Sequence, residues 1–159
     1  MMNDHDYMAL AYQQALVAYD EQEVPIGAVM VNAQGLVVAA GYNRVEQNQS
    51  QLQHAELLVI EASARQLSSW RLQGYTLYVT LQPCMMCLGA LYLSRVSRVV
   101  YAIPSEKYGF GPDQAAFGIY KNLNILSECL DYEPAKLLMK QFFEKKRNDC
   151  AAKNRIGKS

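Results

Sequence analysis

The stretch that decides the fold is YTLYVTLQPCMMCLGALYLSRVSRVVYAI, residues 75–103. It begins with a run of aromatic and β-branched residues at 75–81, which is typical of a strand. Pro83 follows that run, residues 84–94 predict a helix, and residues 98–103 return to β-branched and aromatic residues. Strand, helix and strand in succession predict a βαβ unit with two parallel strands and a right-handed crossover.

The flanking sequence predicts an α/β fold around this unit. Apolar residues at three- and four-residue spacing predict a first helix over residues 7–19, capped by Asn3, Asp4 or Asp6. The other predicted elements are a hairpin with strands at 24–31 and 36–42, a helix at 54–67, a fifth strand at 123–130 and a last helix at 134–149. Loops are expected at 45–53 and 104–124, and a flexible tail at 150–159. Together these elements predict a roughly five-stranded mixed sheet with helices on both faces, in three layers.

Composition limits the class of protein. The chain has 159 residues, of which 51% are hydrophobic and 19% charged. This is the size of one domain, and it is large enough to bury a core without disulfides. The sequence is too apolar for a disordered chain, and no segment approaches the ~18 apolar residues of a membrane span. The start of the sequence lacks an apolar signal core, so we expect a soluble, cytoplasmic protein.

Charge is distributed unevenly along the chain. The formal net charge is zero, yet residues 134–159 carry a net charge of +6 and the preceding residues −6. Such asymmetry can indicate a polyanionic partner. It is also compatible with a solvated terminal helix whose basic end suits the helix dipole. Charge alone leaves both interpretations open.

Two short motifs carry metal chemistry: His54-Ala55-Glu56, and Pro83 followed by Cys84-Met85-Met86-Cys87. A Cys-x-x-Cys pair at a helix start directs both sulfurs to a common point, and the helix N-terminus favours the thiolate form. Two thiolates and one imidazole provide three protein ligands, the number expected of a catalytic zinc. The sequence therefore predicts one Zn²⁺ per chain, held by His54, Cys84 and Cys87.

Other interpretations of the cysteines stay open at this point. The Cys84 and Cys87 pair alone would also suit a thiol–disulfide motif or two buried cysteines. A closed structural zinc site would add Cys129 or Cys150 as a fourth ligand. Four cysteines do not make a disulfide framework in a chain of this length, and His5, in a polar segment, is expected at the surface.

The arrangement H-x-E…P-C-x-x-C resembles that of the zinc-dependent cytidine/adenosine deaminase superfamily. The resemblance implies a cytidine-deaminase-like fold and hydrolytic removal of an amino group from a ring carbon. In this sequence His54, Cys84 and Cys87 would hold zinc, and Glu56 would carry protons between water and the departing amine. Such acid–base work is typically worth 10²–10⁴-fold in rate.

Within the superfamily the chain is most similar to bacterial tRNA-specific adenosine deaminases, over residues 7–103 and 134–149. The matching segments are EVPIGAV at 23–29, GYNR at 41–44, YVTLQPCMMC at 78–87 and LLMKQFFEKKR at 137–147. The resemblance implies that Asn43 and Ala55 line the substrate pocket. It also implies that Phe143 and Arg147 hold anticodon-loop nucleotides, by stacking and by phosphate contact, and that the protein is a homodimer.

Two departures from that family bear on the substrate. Gln82 stands where the family usually has glutamate, and SEKYGFGPD at 105–113 differs from the usual sequence beside the substrate. FGIYK at 117–121 has some similarity to guanine deaminases. Tyr108 and Phe110 are expected either to cover the pocket or to pack on the body of the domain.

Three functions are therefore considered. The first is conversion of adenosine to inosine at the wobble position of tRNA anticodon loops. The second is deamination of a small molecule, namely guanine, a nucleoside or cytosine. The third is a non-catalytic zinc or redox protein, against which the presence of Glu56 argues.

Overall fold

The computed structural model describes residues 2–110 and 125–156. Its helices are α1 (Asp4–Asp20), α2 (Val45–Asn48), α3 (Ala55–Leu67), α4 (Met85–Leu93) and α5 (Glu133–Ile156), with a 3₁₀ turn at Gln51–Gln53. Its strands are β1 (Gly27–Val31), β2 (Val37–Tyr42), β3 (Thr76–Leu81), β4 (Arg98–Ile103) and β5 (Leu126–Cys129). In this part of the chain, no helix has the length and apolarity needed to cross a bilayer.

The strands form one mixed sheet in the order β2-β1-β3-β4-β5. The predicted hairpin is confirmed, since β1 is antiparallel to β2, and β1 is also antiparallel to β3. The strands β3, β4 and β5 are parallel, which confirms the parallel pair predicted for residues 75–103. The metal motif of residues 83–87 follows the carboxyl end of β3, where sites in parallel sheets commonly lie.

Alternating side chains of the strands build two separate cores. One core joins α3 and α4 to the sheet through residues that include Ala28, Met30, Leu77, Val79 and Val99. The other core lies on the opposite face, where α1 and the start of α5 pack on Val29, Val31, Tyr78, Val100 and Ala102. This arrangement confirms the three-layer α/β architecture.

Helix α1 is fixed at its start and along its length. Asn3 is its N-cap: the Asn3 side chain accepts from the Asp6 N–H, and the Asp6 carboxylate accepts from the Asn3 N–H. This reciprocal arrangement is a capping box. Gly27 of β1 lies against the backbone of α1, and a Cβ there would overlap Ala11 and Ala15. The helix can therefore lie directly on the strand.

The expectation of a loop at 45–53 was wrong, because this segment contains α2 and the 3₁₀ turn. The cause is a long-range contact: the carboxylate of Glu23 accepts from the N–H groups of Glu46 and Gln47 in the first turn of α2. Local composition does not reveal such a cap.

The last helix is longer than predicted. It begins at Glu133, one residue before Pro134, and reaches Ile156, so the predicted end at residue 149 was wrong. Residues 151–153 are Ala, Ala and Lys, which are good helix formers. The segment predicted as a flexible tail thus starts in helix, and its last residues, 157–159, lie outside the described chain. The same holds for residues 111–124 of the predicted loop.

Candidate active site

The predicted metal ligands lie at the starts of two neighbouring helices. His54 is the N-cap of α3 and Cys84 is the N-cap of α4, both in extended backbone conformation. Neither side chain accepts a hydrogen bond from its own helix, so both are available for another partner. Cys87 lies in the first turn of α4. The free N–H groups at the two helix starts give this region a positive potential that suits thiolates.

The ligand atoms are close enough for one metal ion. His54 Nδ1 lies 3.8 Å from Cys84 Sγ and 3.4 Å from Cys87 Sγ. All three candidate ligand atoms lie within 4.8 Å of one another. A tetrahedral zinc with ordinary Zn–N and Zn–S bonds separates its ligand atoms by about 3.6 Å. The three side chains therefore fit one Zn²⁺.

Electrostatics around the sulfurs also favour a cation. The pKa of Cys84 is lowered to about 4, first by a hydrogen bond from the Cys87 thiol and then by contact with His54. The pKa of Cys87 is raised because its thiol donates to Cys84 and is buried. The hydrogen bond to Cys84 also raises the pKa of His54, against the effect of burial. The lowered pKa of Cys84 favours its thiolate, which is the form that binds a divalent cation.

Glu56 is buried next to this cluster. Its carboxyl group interacts electrostatically with His54 and with both cysteines, which places the carboxyl beside the predicted ligands. Its Oε2 atom has no hydrogen-bond partner anywhere in the described residues. Burial is the main reason that the pKa of Glu56 is raised. An unpartnered buried carboxylate oxygen is costly, so it indicates a group that binds there.

The other cysteines do not join the cluster. Within residues 2–110 and 125–156, the metal-binding group consists of His54, Cys84 and Cys87, while Cys129 and Cys150 are exposed free thiols. A closed four-ligand site made with either of these two is therefore not what the structure has. His5 is exposed, as expected.

Residues 105–110 pack on the metal-bearing turn. Phe110 N–H donates to Pro83 O over 2.9 Å, and Gly109 forms an isolated β-bridge with Cys84. Gln82 Oε1 accepts from Ser105 N–H over 3.1 Å, so the amide that replaces the usual carboxylate still holds this loop. Phe110 packs against the core on the α3 and α4 side, whereas Tyr108 is exposed.

The predicted substrate residues fall into two groups. Asn43 and Ala55 are buried. Ala55 directly follows His54 and begins α3. Asn43 precedes Arg44, whose N–H donates to the carbonyl oxygen of Gln53, the residue before His54. Phe143 and Arg147 lie on α5, in the layer of α1, with Phe143 44% exposed. The structure thus places Ala55 directly after His54 and Asn43 on the segment bonded to the residue before His54, and it leaves the other two on a separate helix.

Sequence reasoning missed Glu23. This residue is completely buried and accepts a hydrogen bond from Asn43, although the sequence distinguishes it only as the first residue of the matching segment at 23–29. A charged residue directly before the apolar run 24–31 was the available signal.

Comparison with known proteins defines the class. The family model for the cytidine and deoxycytidylate deaminase zinc-binding region matches residues 1–103, which include all three ligands and Glu56. The chain therefore belongs to this family of zinc-binding deaminases, as the resemblance of its motifs implied.

Particular members of the family resemble the chain over most of its length. The tRNA-specific adenosine deaminase of Bacillus subtilis (strain 168) is 39% identical over 97% of this chain and 98% of its own. A structure from work on A-to-I editing by tRNA:A34 deaminases has a TM-score of 0.77 at 32% identity, covering 84% of this chain and 99% of that one. Guanine deaminase from Bacillus subtilis has a TM-score of 0.62 at 31% identity, with 76% of each chain covered.

Proposed function

We propose that the protein is a zinc-dependent hydrolase that deaminates adenosine to inosine at the wobble position of tRNA anticodon loops. The observation that carries the proposal is the cluster of His54, Cys84 and Cys87 beside the unpartnered carboxylate oxygen of Glu56. The near full-length similarity to a tRNA-specific adenosine deaminase supports the choice of substrate.

The chemistry follows from these side chains. His54, Cys84 and Cys87 would hold the ion, and the two thiolate charges would offset its 2+ charge. When bound, zinc supplies a Lewis acid that makes water a nucleophile at neutral pH. Glu56 Oε2 takes the proton of the attacking water and gives it to the departing amino nitrogen. The raised pKa of Glu56 suits both directions of this transfer.

Recognition of RNA uses a different part of the molecule. Helix α5 presents Phe143 and Arg147 at its surface, in the segment that carries the net charge of +6. An exposed aromatic ring stacks on unpaired bases, and arginine contacts phosphates, which are the usual elements of single-strand binding. Asn43 and Ala55 then line the pocket that receives the base.

Assembly and location are part of the same proposal. We infer a homodimer because large apolar side chains close in sequence to the metal ligands are exposed to solvent, and a second copy of the chain would bury them. These side chains are Leu52, Met85 and Met86. A cytoplasmic location follows from a tRNA substrate. Light scattering of the purified protein tests the first inference, and a monomer at micromolar concentration would refute it.

The second candidate is a small-molecule deaminase acting on guanine, a nucleoside or cytosine. Its support is the similarity to guanine deaminase from Bacillus subtilis and the unusual sequence at 105–113. The similarity covers less of both chains than that to the tRNA-specific adenosine deaminase of the same species.

The decisive experiment compares substrates side by side on the zinc-loaded protein. These are an anticodon stem-loop with adenosine at the wobble position, free guanine, and free cytidine with adenosine. We expect inosine in the stem-loop alone. Turnover of a free base or nucleoside, with the stem-loop unchanged, would establish the second candidate instead.

A further inference from the structure

Glu23 is a completely buried carboxylate outside the ligand cluster. It lies in the connection between α1 and β1, where its own N–H donates to Ala18 O over 2.9 Å. A buried carboxylate is costly unless N–H or O–H donors surround it. Three donors do so here: Asn43 Nδ2 at 3.2 Å, Glu46 N–H at 3.2 Å and Gln47 N–H at 2.7 Å.

All three donors belong to the segment that leads to the first metal ligand. This segment runs from the end of β2 through α2 to His54. It is closed on itself by a bond of 3.0 Å from Arg44 N–H to Gln53 O. The end of β2, where this segment starts, lies against α3: a Cβ at Gly41 would come within 3.2 Å of the Val59 side chain. Glu23 therefore fixes, from outside, the position of Asn43 relative to His54.

The contact also fixes which way the Asn43 amide faces. Glu23 Oε2 accepts from Asn43 Nδ2 and Glu46 N–H, and Glu23 Oε1 accepts from Gln47 N–H, so the NH₂ end of the Asn43 amide points toward Glu23. The carbonyl end is then directed elsewhere, and it cannot exchange places with the NH₂ end. A glutamine at position 23 would remove this constraint, because its own NH₂ group can donate to the Asn43 carbonyl.

We propose that Glu23 is a positioning residue for deamination: it sets the orientation of the Asn43 amide that contacts the substrate. This inference rests on the proposed function, since Asn43 is given its substrate contact there. Glu23 is not part of the ligand cluster. Its bonds to Glu46 and Gln47 hold α2, and its bond to Asn43 is the one through which it acts on the reaction, so we expect zinc binding to stay unchanged.

The test compares Glu23→Gln with Glu21→Gln. Glu21 is exposed and lies two residues away, and its carboxylate accepts from the Tyr42 hydroxyl, so the same chemical change is made outside the contact with Asn43. We expect Glu23→Gln to keep one zinc per chain and to lose roughly tenfold in kcat/KM on the stem-loop. Glu21→Gln should keep one zinc per chain and the wild-type kcat/KM. Equal kcat/KM for the two variants, or zinc loss in Glu23→Gln alone, would overturn the proposal.

A double-mutant cycle shows whether Glu23 acts through Asn43. We expect the double variant Glu23→Gln/Asn43→Ala to be no less active than Asn43→Ala, because the amide to be oriented is gone. If the double variant instead loses the product of the two single-variant losses in kcat/KM, Glu23 does not act through Asn43.

A spectroscopic measurement separates this inference from the proposed function. In a ¹⁵N correlation spectrum, the side-chain NH₂ pair of Asn43 is the one that disappears in Asn43→Ala. We expect this pair to shift in Glu23→Gln and to stay in place in Glu21→Gln. An unshifted pair in Glu23→Gln would overturn the inference. A wild-type protein inactive on the stem-loop, with the pair shifted as expected, would overturn the proposed function alone.

Discussion

Glu56 has two properties that are costly together: it is buried, and its Oε2 atom lacks a partner in the described part of the chain. Its position results from the residue before the helix. Side chains two residues apart inside a helix point to different sides, but His54 is a cap in extended conformation. Glu56, in the first turn of α3, can therefore reach the same cluster as His54.

Replacing Glu56 with glutamine should separate metal binding from catalysis. We expect Glu56→Gln to keep one zinc per chain and to lose 10²–10⁴-fold in turnover, since an amide cannot carry the proton. Elemental analysis and inosine formation measure the two effects. Glu61→Gln is the matched control on an exposed turn of α3 and should keep full activity. Undiminished turnover in Glu56→Gln would remove this residue from the mechanism.

Replacing either of two glycines with alanine should change the free energy of unfolding in opposite directions. Gly27→Ala places a methyl group against the α1 backbone and should destabilise the fold by about 1–3 kcal/mol. In Gly89→Ala, in α4, the added methyl group lies more than 4 Å from the described residues outside its own turn of helix. This variant should be more stable by about 0.5–1 kcal/mol, because alanine favours a helix. Urea unfolding measures both. A Gly27→Ala variant as stable as wild type would mean that α1 does not pack as closely as described.

At the scale of the element, the two adjacent phenylalanines of α5 differ in burial and therefore in expected role. Phe142 is 5% exposed and meets the edge of Tyr19 from α1, while Phe143 is 44% exposed. We expect Phe142→Ala to destabilise by about 3–5 kcal/mol. Phe143→Ala should change stability by less than about 1 kcal/mol but weaken stem-loop binding by about 1–3 kcal/mol. Equal RNA affinity for Phe143→Ala and wild type would assign the ring no role in binding.

The start of α1 predicts how stability depends on pH. The pKa of Asp4 is lowered to about 2, first by hydrogen bonds from Arg98 of β4 and also by one from the Tyr78 hydroxyl of β3. A lowered pKa in the folded state stabilises the fold above the unfolded value of 3.8. This stabilisation is lost as pH falls from about 4 to 2.

Asp4→Asn therefore should lower stability at pH 6 by about 1 kcal/mol, since the pair is partly exposed to solvent. The variant should also lose less stability than wild type between pH 4 and 2, as followed by urea unfolding. Asp20→Asn, at the exposed far end of α1, should keep the wild-type acid dependence. Identical acid dependence in Asp4→Asn and wild type would contradict the prediction.

Helices and strands that are marked by their own residues could be predicted from the sequence. Those stabilised by residues distant in the chain could not. The strand at 98–103 has its predicted bounds because its β-branched run ends at Pro104. Helix α2 was missed because Glu23, more than twenty residues earlier, supplies its cap. The motif residues of the metal site were predictable by type and spacing. The place of Glu56 beside Cys87 was not, because it depends on the conformation of His54.

At the scale of the whole molecule, the positive charge is concentrated on one helix. Arg147 is exposed on α5, whereas Lys136, near the start of the same helix, is already paired with Asp131 and Glu133. We expect Arg147→Gln to reduce the slope of log affinity against log salt by roughly 0.7, one single-strand phosphate contact. Lys136→Gln should leave the slope unchanged, and an equal slope in both variants would exclude Arg147 from phosphate binding.

The sheet separates the ligand-bearing helices from α1 and α5. A substitution at Met30 or Val99 changes the packing of α3 and α4, which carry the ligands. A substitution at Val31 or Val100 changes the packing of α1 and the start of α5. Heritable change in the two layers is therefore nearly independent. The surface of α5 can therefore change over evolution without repacking the helix starts that carry His54, Cys84 and Cys87.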